Sequence, residues 1–557
     1  MAPDPNEIGK VFQFPTVIIL VLMDGNEFSL TIGNLLETAA DNSPNQVISY
    51  KGKENYTYTK FHERVDSLAR ALVELGVRKG DKIGFIDWDT NRFMEAYYAV
   101  PMSGATLHTV NIRYTPELIF YTMQHAEDKV VFVRDEFLPI LERAAEAFDF
   151  VEKWVIYSES GTFKTILPNA YNYDDLVNGK HDAQLPPANE NDVATTFYTS
   201  GTTGLPKGVS FTQRQLILHT LGAAASLSNQ PVNLGSTDVM MPLVPRFPVH
   251  PWGVPYIALL KGMKYVLPGK YDVLEILRTI KSQGVTVSLM VPTILYMLVS
   301  HPEARNYLEG ANLRVVIGGS ALPRGLAEKA RQLGIQTTTG YGMSETCPIL
   351  TISTFTSEIQ KLPEAEQFDY RLKAGVPIGM VNLKIVDKAG KSVPKDGKTI
   401  GEIVARAPWL TNGYVKDEEN TKKLWKDGWM HTGDLGTLDQ RGYLSVVDRE
   451  KDAVKSGGEF IPTLIIEDAI STCKGVREVA VIGKAHPKWG ERPVAYVSSE
   501  PDLKGSDINR HLEMLVDSGK IAKFWIPDEY IFIKEFAKTS TGKVDKKVLR
   551  EMLSSSQ

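Results

Sequence analysis

The apolar positions of this chain change period again and again. From about Arg64 to Asp135, "RVDSLARALVELG", "RFMEAYYAVPMSG" and "PELIFYTMQHA" repeat every three to four residues and predict amphipathic helices. Between and after them, "KIGFI" and "KVVFV" are short continuous apolar runs that predict buried strands. Short apolar strands alternating with helices predict parallel sheets joined by crossover helices. The rhythm returns in "KYVLPG", "VLEILRTIKSQG", "VSLMVP" and "RVVIGG". After Asp448 the texture becomes α+β, with "REVAVIG", "RPVAYV" and "EYIFI" as strands and "DINRHLEMLVDSG" as a helix. The expected fold is a large α/β N-terminal domain with a β-rich subdomain, and a small α+β C-terminal domain joined by a hinge. The five consecutive charged residues of "DREKD" suit an exposed connection. The expected division is therefore residues 1–447, a hinge at 448–452, and residues 453–557.

Length supports more than one domain, since 557 residues with 43% hydrophobic content exceed one ordinary core. Charge narrows the partners. The net charge of −5, from 62 basic and 67 acidic residues without a long single-sign block, argues against a nucleic-acid footprint. Cys347 and Cys473 make neither a disulfide framework nor a zinc spacing, which suits reduced thiols in the cytoplasm. The apolar run Val17 to Met23 is too short to span a bilayer, and Asp4 and Glu7 spoil an export signal. It is expected to be a buried strand or docking segment, and no transmembrane segment is expected.

The most unusual stretch is "FYTSGTTGLPKGVSF", Phe197 to Phe211. Its glycines let a loop aim successive backbone N–H groups at one point, and its hydroxyls and lysine add donors, which makes a nest for polyphosphate. A P-loop NTPase would need a second glycine five residues after Gly201, where Pro206 stands, and Ser or Thr after Lys207, where Gly208 stands.

"YTSGTTGLPKG" resembles the phosphate-loop signature of the adenylate-forming superfamily, which includes acyl-CoA synthetases, luciferases and peptide synthetase adenylation domains. "GYGMSET", "WMHTGDLG" and "TSTGK" follow in that family's order, so the resemblance runs from about Leu30 to Leu553. It implies that Thr199, Ser200, Gly201, Thr202, Thr203, Gly204 and Lys207 hold the phosphates of ATP. It places the backbone of Gly318, Gly319 and Ser320, in "VIGGSAL", against adenine. Tyr341 would stack on the base, with Gly342 and Thr346 in the same motif, and Glu345 would ligate Mg2+, a hard cation that oxygen suits. Asp434 and Arg449 would hold the ribose. Lys543 would bridge the acid's carboxylate and the α-phosphate, so Lys543, Glu345 and Thr199 are the expected catalytic set.

The implied reaction is attack of a carboxylate on the α-phosphorus of ATP, release of pyrophosphate, and capture of the acyl-adenylate by coenzyme A. The small domain would turn about Lys451 between the steps and bring "KSGGEF" to the site, with Lys455, Gly457 and Gly458 lining the pantetheine passage. "VPRFPVHPW" resembles the gate of fatty acyl-CoA synthetases and would make Trp252 the gate, with Phe247 and His250 beside it. The segment departs from the family's Phe-His-Val, since Pro248 stands where the histidine is usual and His250 is displaced by two residues. Ala537 replaces a frequent proline before "KTSTGK". Gly342 stands where short-chain synthetases carry a tryptophan, which is expected to leave room for a longer acid. A medium- or long-chain fatty acid is the expected substrate. A short hydroxy acid such as 4-hydroxybutyrate, an aryl acid, a luciferase-like oxidase and a carrier-protein adenylation domain stay open, as does a homodimer.

Overall fold

A computed structural model describes residues 28–199, 205–247, 249–457, 459–540 and 542–555. The run Val17 to Met23, the centre of the phosphate loop from Ser200 to Gly204, and Gly458 lie outside the described residues.

The alternating pattern builds two large sheets. In one, Lys153–Tyr157, Asp128–Arg134, Lys82–Ile86, Thr106–Thr109 and Val193–Thr199 lie side by side and parallel. Lys207–Thr212 closes its edge antiparallel to Val193–Thr199. In the other, Val47–Tyr50, Lys264–Leu267, Val239–Met240, Val287–Met290, Arg314–Ile317 and Gln336–Gly342 are parallel. Ile349–Ile352 then turns back antiparallel to Gln336–Gly342. "KIGFI" and "PELIFYTMQHA" coincide with the strand Lys82–Ile86 and the helix Pro116–Ala126. The helix Val273–Gln283 stops at Gly284, whose left-handed φ of 65° suits a residue without a side chain.

The helices Tyr58–Glu74, Asn91–Met102 and Val254–Leu260 contribute to one shared core with strands of both sheets. Asn91–Met102 is buried along almost its entire length, its polar Asn91, Arg92 and Glu95 included, so it is not the amphipathic helix its periodicity predicted. The parallel strands put their carboxyl ends, and the loops that follow them, along one edge of each sheet, where ligands of open α/β sheets bind.

A third sheet, of Asn382–Val386, Gly401–Arg406, Trp425–Lys426, Trp429–Leu438 and Leu444–Arg449, is antiparallel. It supplies the expected β-rich part. Beyond it, Val476–His486 and Gly490–Ser499 form a long hairpin joined by Val454–Ser456 and Glu459–Ile461, with Glu529–Phe532 parallel to its second strand. This unit has its own apolar clusters, one around Ile466, Ile470, Val481 and Leu512 and another around Ile482, Tyr496 and Leu549. Among the described residues no helix is long and apolar enough to cross a membrane.

Candidate active site

The strands that flank the phosphate-loop motif, Val193–Thr199 and Lys207–Thr212, pair antiparallel. Thr199 and Lys207 are cross-strand partners, so the loop between them leaves and re-enters one sheet edge. Lys207 Nζ lies 4.9 Å from the centre of the Tyr414 ring. The Tyr414 hydroxyl in turn donates to Glu345 Oε1 at 2.6 Å. Gly208 permits this convergence, because a Cβ there would lie 3.1 Å from Val415 and 3.2 Å from Tyr198. Tyr414 carries no motif of its own and was not found from sequence.

Glu345 is buried, and burial raises its carboxyl pKa, with the Tyr414 hydrogen bond acting against the shift. The carboxylate form therefore gains from any cation brought near it. Thr346 is fully buried, and its hydroxyl both accepts from Met343 N at 3.0 Å and donates to Met343 O at 3.0 Å. Its hydroxyl closes the turn at Met343.

Tyr341 donates its hydroxyl to Asp434 Oδ2 at 2.7 Å. Asp434 sits opposite Arg449 in the ladder of Trp429–Leu438 with Leu444–Arg449, and Arg449 Nε approaches Oδ1 at 3.4 Å. Burial raises the Asp434 pKa, while Arg449 and Tyr341 act to lower it. The expected adenine and ribose residues are thus brought together.

Gly342 is the clearest correction. A Cβ built on it would come 1.7 Å from the Pro348 carbonyl oxygen and 3.2 Å from Ile349 Cα. The position faces the antiparallel partner strand, not an acyl pocket, and glycine is there because two backbones meet.

Lys543 reaches this cluster from the other end of the chain. A Cβ on Gly319 would lie 3.6 Å from Lys543 Cε. Burial first, and Arg449 second, lower its pKa to about 8, with Asp434 and Glu345 pulling it back up. Three hydrogen bonds seat the loop that carries it: Asn111 Nδ2 to Ser540 Oγ at 3.2 Å, Arg113 Nη1 to Ser540 O at 3.2 Å, and Thr293 Oγ1 to Gly542 O at 2.8 Å. None of those three partners was legible as a site residue.

Lys455 and Gly457 lie exposed on the small unit. Lys455 Nζ is 5.4 Å from the Phe460 ring centre, and Gly457 N donates to Trp489 O at 2.8 Å. The site formed around Lys543 is therefore not assembled from them in this arrangement.

Trp252 packs on the segment expected to face adenine, since a Cβ on Gly318 would meet its Cη2 at 3.0 Å. Val249, His250 and Trp252 have φ of 50°, 51° and 60°, a left-handed run that is strained for a β-branched residue. Phe247 is buried beneath Arg113, whose guanidinium lies 5.8 Å from its ring centre. His250 is not at the gate surface. It is fully buried, bonds Thr195 Oγ1 at 2.5 Å, and packs edge-on to Phe197 and Phe211. Burial lowers its pKa to about 3, so the ring is neutral and anchors its own segment to the strand Val193–Thr199.

Comparison with known proteins decides what this constellation belongs to. Residues 36–415 match the family described as AMP-binding enzyme, and residues 465–543 match the AMP-binding enzyme C-terminal domain. The chain belongs to the AMP-binding enzyme family.

Within that family it is an AMP-forming acyl-CoA synthetase. It is 38% identical to the long-chain-fatty-acid–CoA ligase of Thermus thermophilus, over 89% of this chain and 90% of that one. It is 34% identical to the medium-chain-fatty-acid–CoA ligase of Ectopseudomonas oleovorans, over 94% and 96%. The crystal structure of ATP-bound MatB from Rhodopseudomonas palustris superposes with a TM-score of 0.79 at 25% identity, covering 93% of this chain and 98% of that one. The acyl-CoA synthetase uses a carboxylic acid, ATP and coenzyme A as substrates.

Proposed function

We propose that this synthetase activates a medium- or long-chain aliphatic acid in the cytoplasm, and that the arrangement described is its adenylate-forming state. The observation that carries this reading is Lys543, which arrives from the small unit beside Gly319 and within electrostatic reach of Asp434, Glu345 and Arg449. There its ammonium can neutralise both the attacking carboxylate and the α-phosphate, which otherwise repel each other, and stabilise the charge that shifts in the transition state. Lys207 and the phosphate-loop amides, with Thr199 at the loop's start, hold the departing pyrophosphate. Asp434 and Arg449 fix the ribose so that the α-phosphorus meets the acid in line.

Among the described residues no group of three or more His, Cys, Asp and Glu could hold a metal ion by itself. A single carboxylate facing a polyphosphate nevertheless fits Mg2+, which keeps several waters and shares one or two protein oxygens with phosphate ligands. Glu345 would hold it, and the ion would supply charge neutralisation at the phosphates. Glu345→Gln is expected to raise the Mg2+ concentration for half-maximal adenylate formation about tenfold, because a neutral amide oxygen is a poorer ligand. An unchanged Mg2+ titration would leave Glu345 a structural partner of Tyr414.

The hinge reading rests on where side chains are tied. Arg449 ends a strand of the third sheet, whereas Asp452 is held by Arg550 of the C-terminal helix at 2.6 Å. Glu450 and Lys451 lie between these two tied positions, and the turn of the small unit is placed there. After that turn Lys455, Gly457 and Gly458 would face the acyl-adenylate, and the thiol of coenzyme A would displace AMP.

The relatives named for long- and medium-chain acids support the chain-length reading, and the absence of a filling side chain at Gly342 no longer does. A 3-methylmercaptopropionyl-CoA ligase of Ruegeria lacuscaerulensis is 36% identical over 94% of this chain, which favours a short acid as the second reading. Acid-dependent pyrophosphate release from acetate to palmitate, with 3-methylmercaptopropionate and 4-hydroxybutyrate included, tests both. The expected profile peaks at eight carbons or longer, with neighbouring lengths separated by about tenfold or less. A maximum at three or four carbons would replace the fatty-acid reading with the second one.

A further inference from the structure

We infer that Asp468 is a positioning residue for adenylate formation: its carboxylate caps the helix Arg324–Gln332 across the interface and seats the small unit with Lys543 in the site. The inference rests on the proposed role of Lys543 and adds what holds that lysine there. The helix begins after Pro323, which has no side-chain acceptor, and no side-chain bond caps it locally. The N–H of Arg324 donates instead to Asp468 Oδ1 at 2.7 Å, from the helix Thr463–Ser471 of the small unit.

An acceptor carboxylate at this end satisfies an otherwise orphaned donor and complements the helix dipole. Arg324 adds its positive charge, although its guanidinium is also paired with Asp369 at 2.5 Å. Burial raises the Asp468 pKa and Glu328 and Asp369 add to the rise, while the Arg324 backbone donor and charge act against it.

The place of this contact gives it consequence. The helix it caps starts four residues after Ser320, at the end of the segment that Lys543 approaches at Gly319. Lys543 and Asp468 therefore approach the two ends of the same stretch from the small unit. The approach is close as well as polar, because a Cβ on Gly325 would lie 2.6 Å from the carbonyl oxygen of Ser471. Gly325 lies in the first turn of the helix, where alanine would otherwise improve helix propensity.

Two substitutions follow, and they separate docking from folding. Removing an N-cap acceptor shifts an equilibrium by about fivefold, within a range of roughly two- to thirtyfold. Asp468→Ala is expected to lower kcat for adenylate formation about fivefold and to leave thioester formation from supplied acyl-adenylate unchanged or faster. Asp468→Asn, which keeps an acceptor, should retain most of the activity. Gly325→Ala should act in the same direction as Asp468→Ala while its thermal midpoint holds or rises. Equal effects on both half-reactions, no effect of Gly325→Ala, or an Asn variant as impaired as Ala would each overturn the inference. Lys543→Ala measured in parallel separates the two levels. If that variant loses adenylate formation selectively and Asp468→Ala does not, the inference alone fails. If Lys543→Ala slows both half-reactions equally, the reading of Lys543 fails and takes this inference with it.

Discussion

Lys543→Ala is expected to slow adenylate formation by a factor of about 100 to 1,000, the usual loss when one preorganised donor to a developing charge is removed. Thioester formation from supplied acyl-adenylate should be nearly untouched, because the proposed turn of the small unit would take the lysine out of the site. The pH profile is a second signature. Burial, then Arg449, depress the Lys543 pKa to about 8, and only its protonated form carries the charge that the reaction uses. The charged form is therefore present below that pH and lost as pH rises through it. kcat/KM for adenylate formation, which reports the free enzyme, should fall with rising pH through about 8, and the thioester half-reaction should lack this limb. Stopped assays of each half-reaction from about pH 6 to 10 check both claims. A flat profile for adenylate formation, or equal loss in the two steps, would remove Lys543 from the chemistry.

How much of this was readable in the sequence differs by kind of residue. Periodicity located the parallel strands and crossover helices because their burial is local and repetitive, as at Lys82–Ile86 and Pro116–Ala126. The third sheet was harder to place. Its first strand, Asn382–Val386, has no clean alternation of exposure and pairs with residues more than fifteen positions away. Motif residues such as Glu345, Asp434 and Lys543 were legible only through the resemblance of their runs to the adenylate-forming family; alone, they read as a surface carboxylate, a turn and a solvated lysine. The residues that hold them were not. Tyr414, Asn111, Thr293 and Asp468 act through single long-range hydrogen bonds, and nothing in their neighbours announces a partner 69 to 429 positions away. His250 was misplaced for a related reason: proximity to Trp252 in sequence suggested the gate, but the left-handed turn sends its ring into the core against Thr195.

Gly342→Ala carries the other large expected effect, and it inverts what the sequence alone suggested for that position. As an opening in the acyl pocket, Gly342 would accept a small methyl with little consequence for ATP. In the structure the methyl would overlap the Pro348 carbonyl at 1.7 Å, and a backbone atom cannot rotate out of the way as a side chain can. The strand Gln336–Gly342 must then shift from Ile349–Ile352, and Tyr341, one residue earlier, must lose its 2.7 Å bond to Asp434. Overpacking of this severity costs about 3 kcal/mol, near a hundredfold in an equilibrium constant. The variant is expected to show a lower thermal midpoint, a raised KM for ATP, and a similar fall in kcat/KM for every acid from acetate to palmitate. The measurement is one acid panel at several ATP concentrations beside a thermal unfolding curve. Selective loss of the long acids with KM for ATP unchanged would mean that the position faces the acyl chain after all. A uniform loss would assign chain-length control elsewhere, and the strained turn carrying Trp252 against Gly318 is then the segment whose substitutions should move the optimum.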